Sequence, residues 1–448
     1  MLGVFLRRFI GDRKGNVAII FALSIIPCIF LTGMALDFTS ATQKRVILNA
    51  AADAAALAAV TPTMMGETSS QAQTAATNIF NATASSVTAV TSVTPTVAVA
   101  STNGGLTRTV TVSYTAKSTN SFPNVLGLVT GTAEASWSIS GSSQATSSTS
   151  PNINFYLLLD NSPSMDIAAT TSGINTMVAA TMNAPASGQN AGGCAFACHE
   201  SSPSSDNLGN PNGEDNYALA QNLGVTTRIE NMASATQALM TTANTTESAN
   251  NATYKMAIYT FNGTGTSTVQ TLTSNLTTAA NAASNIDVLE VYNNNCLTQS
   301  NCNNDTDTNF DTAMSSISNI MPNPGTGASN STPQEVLFIV SDGLEDDNTG
   351  SCSQPLDGTR CMQPFDTTWC TTLKNQGIRI AVLYTAYLPL TTNAFYNTWV
   401  SPFQSTIATA MQSCASSGLY FSITTDGDIS SAMQALFEQA VATARLTQ

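Results

Sequence analysis

The stretch that most constrains the fold is residues 154–165, which read NFYLLLDNSPSM. Residues 155–159 are apolar without alternation, a pattern typical of a central strand in a parallel sheet that is covered on both faces. The run ends in three oxygen-bearing side chains at alternate positions, Asp160, Ser162 and Ser164. Ligands of open α/β sheets bind beyond the carboxyl ends of the strands. A carboxylate and two hydroxyls at that point therefore predict a site for a hard divalent cation such as Mg²⁺.

Two later segments supply what a lone Asp-x-Ser-x-Ser motif lacks, since that motif arises easily in a chain rich in serine and threonine. Residues 336–343, VLFIVSDG, form a second strand of the buried type that ends in Asp342. Thr308 stands between the two strands, at the start of a predicted helix. In this order the five residues resemble the metal-ion-dependent adhesion site of von Willebrand factor type A domains: Asp160, Ser162, Ser164, Thr308 and Asp342.

The resemblance implies a role for each residue. The three hydroxyls would bind Mg²⁺, Mn²⁺ or Ca²⁺ directly, and the two carboxylates would bind it directly or through water. One coordination position would stay open for a carboxylate from a protein partner. Two positions differ from the usual family pattern, in which glycine is common: Pro163 lies inside the first loop and Asp307 precedes Thr308. Neither difference removes a ligand.

Strand and helix patterns alternate after residue 151, which predicts an α/β fold with a doubly wound, mostly parallel sheet. The expected architecture is von Willebrand A-like and Rossmann-type. The predicted strands cover residues 155–159, 254–261, 269–272 (a short edge strand), 336–340, 378–384 and 419–423. The predicted helices cover residues 229–240, 308–320, 365–375 and 429–445.

The composition argues against a nucleic-acid partner. The 448 residues are only 9% charged, with a net charge of −14 and a pI of about 4.3, whereas a phosphate backbone requires a basic surface. The few positive charges are unevenly placed, with six of the 14 Lys and Arg residues among the first 45 positions. That asymmetry predicts a membrane-facing N-terminus and an acidic, exposed body.

Residues 17–36 form an apolar run of 20 residues without a charge. This length matches the hydrocarbon core of a bilayer, so we predict a transmembrane helix that Pro27 kinks but does not break. Basic residues precede the run, and Asp37 follows it. The positive-inside rule then predicts a cytoplasmic N-terminus and an external body. A cleaved signal peptide is the alternative, although its apolar region is usually shorter.

The chain is expected to have three parts. Residues 1–60 hold the basic tail, the transmembrane helix and a helical extension rich in alanine. Residues 61–145 form a small β-rich α+β unit, and residues 141–151, GSSQATSSTSP, read as a flexible linker. Residues 146–448 form the α/β domain. Three polar stretches do not fit its repeat and are predicted to be surface insertions: 184–216, 290–306 and 344–362.

Eight of the nine cysteines lie after residue 190, which predicts up to four disulfides in an oxidising compartment. The spacing favours three local pairs, Cys194–Cys198, Cys296–Cys302 and Cys352–Cys361. Cys370 and Cys414 would then tie two helices together. Eight cysteines allow about a hundred connectivities, so the sequence leaves the pairing open.

Two polar clusters admit a functional and a structural interpretation. Cys194, Cys198 and His199, the sole histidine, would need a fourth ligand to hold zinc, and covalent haem requires two rather than three residues between the cysteines. A disulfide is the favoured interpretation. The acidic run at residues 345–347 is interpreted as a solvated loop rather than a second cation site.

The N-terminal segment carries a second resemblance. Its residues GNVAIIFAL (15–23), Gly33, Ala35-Leu36-Asp37, Arg45 and AADAAALA (51–58) resemble the N-terminal module of TadG-like proteins of the Tad (Flp) pilus-assembly system. The resemblance implies a single-pass protein of the bacterial inner membrane, with its later domains periplasmic or surface-facing. The partner would be a pilus-assembly component or a surface ligand.

Two other functions remain as alternatives. A pilin-like subunit would polymerise through its N-terminal helix, and Lys14-Gly15 superficially resembles a prepilin cleavage site; however, Ile20 stands where prepilins usually carry Glu. A hydrolase would use Ser162 or Ser164 as nucleophile, which requires an activating base held by a third group. Because the sole histidine lies in a predicted insertion, we expect no enzymatic activity.

Overall fold

The structure is a computed structural model that describes residues 15–122, 136–294, 296–300, 306–348, 352–391 and 393–444. The chain divides into two compact units, Met1–Ser148 and Thr149–Gln448, here called unit 1 and unit 2. The predicted basic tail before Gly15 and Cys302 lie outside the described residues. The helical extension and the segment predicted as a separate α+β unit share one apolar core within unit 1.

Unit 1 begins with a single long helix, α1 (Gly15–Ala58), which continues through Pro27 as predicted. Its first half is apolar and exposed, and it is the one helix among the described residues that is long and apolar enough to cross a membrane. Its second half is covered. From Ala41 to Val60, small residues of the helix pack against the rest of unit 1, because alanine allows close approach of the neighbouring elements.

The remainder of unit 1 is a three-stranded antiparallel sheet with two more helices. The elements are α2 (Pro62–Met65), α3 (Ser69–Ala84), β1 (Val90–Thr102), β2 (Thr107–Thr119) and β3 (Ser136–Ser148). Phe80 and Tyr114 pack together beneath α1. The Tyr114 hydroxyl donates a hydrogen bond to Asn49 Oδ1 at 2.8 Å, which ties the sheet to the helix.

The predicted linker is wrong over most of its length, because residues up to Ser148 belong to β3. Serine and threonine in this segment pair across the sheet: Thr146 contacts Thr109 and Ser142 contacts Ser113, each at 3.0 Å between hydroxyl oxygens. Ala145 is buried on the opposite face. Composition alone suggested a flexible chain, whereas β-branched and hydroxyl side chains also suit a half-buried strand with a partner.

Unit 2 is built on a six-stranded sheet in the order β11-β10-β7-β4-β5-β6. All neighbouring pairs are parallel except β5–β6, which is antiparallel and places β6 at one edge. This order is typical of doubly wound sheets and confirms the predicted fold class. The strands are β4 (Ile153–Asp160), β5 (Tyr254–Asn262), β6 (Gly265–Thr273), β7 (Gln334–Ser341), β10 (Arg379–Thr385) and β11 (Tyr420–Ile423).

Helices cover both faces of this sheet, so every residue of β4 and β7 is buried. Side chains at odd positions of β4 meet α6 (Arg228–Asn250), α7 (Leu276–Ala283) and α11 (Ile429–Thr443). Side chains at even positions meet α8 (Phe310–Ile320), α9 (Thr368–Asn375) and α10 (Gln404–Cys414). Two further helices, α4 (Thr171–Thr181) and α5 (Asn216–Asn222), enclose a small separate cluster. The sequence patterns did not predict α4, α5 or α7, and α10 was expected only as a helix that contains Cys414.

Two disulfides agree with the predicted pairs. Cys370 of α9 is bonded to Cys414 of α10, and Cys352 is bonded to Cys361. Cys296 is also disulfide-bonded. The pair predicted between Cys194 and Cys198 is not formed, and both are free thiols.

The backbone between Cys194 and Cys198 is held by other contacts. Phe196 bridges to Ile167, and the Thr181 hydroxyl accepts a hydrogen bond of 2.7 Å from the Cys194 amide. A disulfide requires a specific approach of the two Cβ atoms. The contacts of Phe196 and Cys194 fix the local backbone in another conformation. The prediction of a disulfide rested on close spacing in the sequence, which does not show these contacts.

Candidate metal centre

The predicted first loop leaves the sheet at its topological switch point. β4 lies between β5 and β7, and the chain crosses to opposite sides after β4 and after β7. β4 ends at Asp160, and β7 ends at Ser341, directly before Asp342. In doubly wound folds this crevice beyond the carboxyl ends is where ligands bind. The two predicted acidic residues therefore stand side by side at the expected place.

Hydrogen bonds hold the Asp160 carboxylate in one orientation. Its Oδ1 accepts from the Ser162 amide at 3.0 Å and from the Ser162 hydroxyl at 2.6 Å. Its Oδ2 accepts from the Ser341 hydroxyl at 2.6 Å. The Ser164 hydroxyl lies 3.0 Å from that of Ser162. The loop after β4 thus folds its two serines back toward the carboxylate that precedes them.

Asp342 faces the same cluster from β7. It is 1% exposed, and its Oδ1 accepts a hydrogen bond of 3.1 Å from the Leu344 amide. Its Oδ2 is buried and has no hydrogen-bond partner among the described residues. The next residue, Gly343, has φ +72°, and a Cβ there would lie 2.7 Å from Ile407. Glycine is therefore required for the chain to turn away directly after Asp342.

Thr308 lies at the same edge of the sheet, but it is held by backbone contacts rather than by side-chain hydrogen bonds to the other predicted site residues. Its amide donates to the Asp346 carbonyl and its carbonyl accepts from the Asp346 amide, both at 3.0 Å. The following residue, Asn309, bonds to Asn262 at the end of β5. Thr308 is 3% exposed. The backbone thus brings Thr308 to the carboxyl ends of the strands. Hydrogen bonds join Asp160, Ser162 and Ser164, and Asp342 lies near Asp160.

Burial raises the pKa of both carboxylates at this site. Burial first, and then the nearby Asp342 charge, raise the pKa of Asp160 above its usual value, although hydrogen bonds from Ser162 and Ser341 act against this. Burial likewise raises the pKa of Asp342, while the nearby Ser164 hydroxyl and the positive charge of Arg228 act against this. A cation bound beside these carboxylates would favour their charged forms and so act against both shifts.

Comparison with known proteins bears on the N-terminal helix first. Residues 15–62 match the family model described as putative Flp pilus-assembly TadE/G-like. The N-terminal helix is TadE/G-like. The match covers α1 and ends just after it, so it agrees with the module that the sequence pattern indicated. No curated protein sequence matches the chain.

Several solved structures align with the chain at low similarity. The pilus adhesin SpaC from Lactobacillus rhamnosus GG, in its open conformation, is 9% identical with a TM-score of 0.33, covering 78% of this chain and 33% of the adhesin. The PilB minor pilin from Streptococcus sanguinis is 10% identical with a TM-score of 0.32, covering 79% and 78%. The SpRpn10 VWA domain is 10% identical with a TM-score of 0.30, covering 64% and 95%. This chain spans about a third of the length of the adhesin.

The residues of the cluster fit a hard divalent cation. Asp342 Oδ2 is a buried acceptor without a donor, which is costly unless a positive charge meets it. In the part of the chain that the structure describes, no three His, Cys, Asp or Glu side chains group as a metal site. The candidate ligands of this cluster are two carboxylates and hydroxyls, an all-oxygen set of the kind that suits Mg²⁺, Mn²⁺ or Ca²⁺.

Sequence reasoning missed Ser341, which orients Asp160. Ser341 is 1% exposed, and its hydroxyl also accepts a hydrogen bond of 2.9 Å from the Gly343 amide. It stands in the motif VSDG directly before Asp342, where a polar side chain ends an apolar run. This position at the end of an apolar run was the signal from which Ser341 could have been identified as a site residue. Its partner on a neighbouring strand could not be read from the sequence alone.

The other polar clusters have structural partners. The His199 Nδ1 atom lies 2.8 Å from Asp215 Oδ2, and its ring packs against Tyr217. The Asp215 carboxylate raises the pKa of His199 through this hydrogen bond. The same carboxylate oxygen accepts from the Glu200 amide at 2.8 Å. His199 thus anchors the insertion to the start of α5.

The acidic run was wrongly interpreted as a solvated loop. Residues Leu344–Asp347 form β8, which pairs with β9 (Cys361–Pro364), and all four residues of β8 are buried. Asp346 forms a buried ion pair with Arg360. Burial, together with neighbouring carboxylates, raises the pKa of Glu345 to about 8. The hairpin is a packed element of unit 2, adjacent to Thr308.

Proposed function

We propose that this chain is a membrane-anchored component of a Tad/Flp-type pilus assembly system that binds a protein partner through a divalent cation. The residues that would hold the cation are Asp160, Ser162, Ser164, Thr308 and Asp342. When bound, Mg²⁺ would supply an open coordination position that accepts a carboxylate. The partner would be another pilus-assembly component or a surface ligand.

The observation that carries this proposal is the pair of buried carboxylates at the switch point of the sheet. Asp160 is 0% exposed and Asp342 is 1% exposed. Asp160 is oriented by hydrogen bonds from Ser162 and Ser341, while one oxygen of Asp342 has no donor. Like charges buried together are unfavourable unless they are protonated or paired. A bound cation meets that requirement at neutral pH.

The overall charge favours recognition through a metal ion. A chain with a net charge of −14 repels an acidic partner surface. A divalent cation with an open position creates a local acceptor for one carboxylate on this acidic background. The partner contact would then depend on the ion rather than on a basic patch.

Binding is favoured over catalysis by the hydrogen bonds at the serines. The Ser162 hydroxyl donates to Asp160, and His199, the sole histidine in the sequence, bonds to Asp215 instead. A nucleophilic serine requires a base within hydrogen-bond reach that is itself oriented by a third group. The hydrogen bonds of these serines support a role as cation ligands rather than as nucleophiles.

The anchor and its orientation are part of the proposal. The exposed apolar half of α1 would cross the bacterial inner membrane, with the basic residues before Gly15 in the cytoplasm. Both units would then lie in the periplasm or face the cell surface. The Cys370–Cys414 and Cys352–Cys361 disulfides support an oxidising compartment.

The test is a calorimetric titration of the detergent-solubilised full chain with Mn²⁺. We expect one binding event per chain, and Asp342→Asn and Ser162→Ala should each weaken it by at least about tenfold, since even outer-shell changes commonly have that effect. Asn and Ala are chosen because they remove a charge or a hydroxyl with little change of volume.

The matched control is Glu335→Gln. Glu335 is 1% exposed and lies at the start of β7, at the opposite end of the sheet from Asp342. The Glu335→Gln variant should bind Mn²⁺ as the parent chain does. A parent chain without Mn²⁺ binding, or an Asp342→Asn variant that binds normally, would overturn the metal site. Co-purification of pilus components in Mg²⁺ but not in EDTA would test the partner contact separately.

A further inference from the structure

The part of unit 1 that follows α1 folds back against this helix, and the contact lies within the predicted membrane span. Gly33 is buried although the span was predicted to continue to Leu36, which is 55% exposed. Three residues of helix correspond to about 4.5 Å. The folded body of unit 1 therefore reaches down beside the last turn of the apolar segment, rather than beginning above it.

The contact at Gly33 is made by Phe122. A Cβ built on Gly33 would lie 2.9 Å from both Cβ and Cγ of Phe122, so the aromatic side chain rests on the helix backbone itself. Asp37, one turn further along, fixes this chain segment. Its carboxylate oxygens accept hydrogen bonds from the amides of Ser121 at 2.8 Å and Phe122 at 3.0 Å.

Two more aromatic side chains lie at the same level. Phe38 follows Asp37 on the helix, and Trp137 lies near the start of β3; their ring centroids are 6.0 Å apart in an edge-to-face arrangement. The three aromatic residues are exposed, at 60% for Phe38, 42% for Phe122 and 36% for Trp137. A cavity of about 240 Å³ opens beside them, with Met34 and Asp37 in its wall.

We propose that Phe38, Phe122 and Trp137 form an aromatic collar that lies in the headgroup region of the bilayer. The proposal rests on the membrane anchor described under the proposed function. Tryptophan prefers the membrane–water interface because it joins an apolar body to a polar tip. Phenylalanine beside it would place its apolar ring at the boundary between headgroups and acyl chains. Continuity with the exposed apolar half of α1 argues for lipid as the occupant. Unit 1 would then rest directly on the membrane surface.

The charges near the collar fit this placement. Asp37 is 5% exposed, and its carboxylate is satisfied by two backbone amides, so it presents little charge to lipid. Lys44 lies seven residues beyond Asp37, about 10 Å along the helix, and its ammonium bonds to the Ala89 carbonyl and the Ser118 hydroxyl. Lys117 is exposed on the adjacent strand. Positive side chains at this height suit anionic headgroups.

The test measures lipid contact of Trp137 in the full chain. The protein is reconstituted into vesicles of phosphatidylcholine and phosphatidylglycerol, with or without bromine atoms near the headgroup end of the acyl chains. The parent chain has three tryptophans, and Trp137→Phe keeps an aromatic ring against Phe38. The difference between the two emission spectra isolates Trp137. We expect brominated lipid to remove most of that difference and a water-soluble quencher to affect it weakly.

Flotation of the vesicles separates the possible outcomes. If the chain floats with the vesicles but Trp137 emission is unchanged by bromine, the collar is wrong while the anchor stands. Emission that is shielded from both quenchers would indicate a protein partner or a second copy over Trp137, and would also overturn the lipid contact. A chain that does not float would refute the anchor, and with it the collar.

Discussion

Glu335 is a carboxylate in the interior of unit 2, and it forms no ion pair within the part of the chain that the structure describes. It is 1% exposed, and its Oε1 accepts a hydrogen bond of 3.0 Å from Asn154 on the neighbouring strand. Its Oε2 is buried without a donor. Burial raises the pKa of Glu335 to about 8, although the Asn154 hydrogen bond and the charge of Lys255 act against this. The folded state thus favours the protonated form.

A pH dependence of stability follows from that shift. Because the folded pKa lies above the unfolded value, Glu335 costs nothing at acid pH and destabilises progressively as pH rises from about 4.5 to about 8. Each unit of elevation corresponds to about 1.4 kcal/mol. We therefore expect Glu335→Gln to match the parent chain near pH 4 and to be more stable by a few kcal/mol near pH 9.

The measurement is urea unfolding of both chains in a Trp137→Phe background. The remaining tryptophans, Trp369 and Trp399, both lie in unit 2, so their emission reports the unfolding of that unit. EDTA in all samples keeps bound metal from contributing. A stability difference that does not change with pH would contradict the assignment to Glu335.

Residue-level chemistry was predictable where a polar side chain ended an apolar run. Asp160 and Asp342 were identified because each follows a strand of the buried type, and the structure brings them together. The free thiols of Cys194 and Cys198 were not predicted. Sequence spacing limits which cysteines can meet, but the contacts around Phe196 decide which do meet.

At the scale of elements, the two bonded cysteine pairs differ in the length of chain they enclose. Cys370–Cys414 links α9 to α10 across a sequence separation of 44, and Cys352–Cys361 closes a separation of 9. In the chain-entropy model the loss of each bond costs about 4 and about 2.5 kcal/mol, respectively. We expect Cys370→Ser/Cys414→Ser to destabilise unit 2 more than Cys352→Ser/Cys361→Ser.

The same urea assay, at neutral pH and without reductant, checks this order. Both double variants replace two half-buried or buried sulfurs, so each serves as the control for the other. Equal losses, or a larger loss for the shorter loop, would show that strain or residual unfolded structure outweighs loop entropy in this chain. Such a result would contradict the prediction.

Elements were easiest to predict where the periodicity was strong and local. The six strands of the main sheet of unit 2 agree with their predicted positions within a few residues, because short apolar runs of that length, bounded by polar turns, favour buried strands. The hairpin strands β8 and β9 were not predicted. The helix α4 was missed, and the second half of β3 was predicted as a linker. Both are rich in small polar residues, and their burial depends on partners elsewhere in the fold, such as β2 for β3.

At the scale of the whole molecule, orientation in the membrane is the decisive property. The basic residues of the first 14 positions precede the apolar run, and the first acidic residue after it is Asp37. In spheroplasts we expect an added protease to degrade both units while an epitope placed before Met1 stays protected. Replacing Arg7, Arg8, Arg13 and Lys14 by alanine should reduce that protection, because the positive-inside bias is lost.

Detergent-permeabilised spheroplasts provide the control in which the epitope becomes accessible. Cleavage of the epitope in intact spheroplasts, with both units protected, would place the chain in the opposite orientation. Loss of the epitope during maturation would instead indicate processing near Gly15, as expected for the pilin-like alternative.

The sequence by itself determined the classes of structure: an apolar helix of membrane-spanning length, an alternating α/β domain and oxygen ligands after two buried strands. These follow from composition and periodicity, which act over a few neighbouring residues. Only the tertiary structure decided which groups meet. The pairing of Ser341 with Asp160, the packing of Phe122 on Gly33 and the free thiols of Cys194 and Cys198 depend on strand order and side-chain packing between distant segments. Such contacts form only when hydrogen bonds and burial are satisfied throughout the fold at the same time.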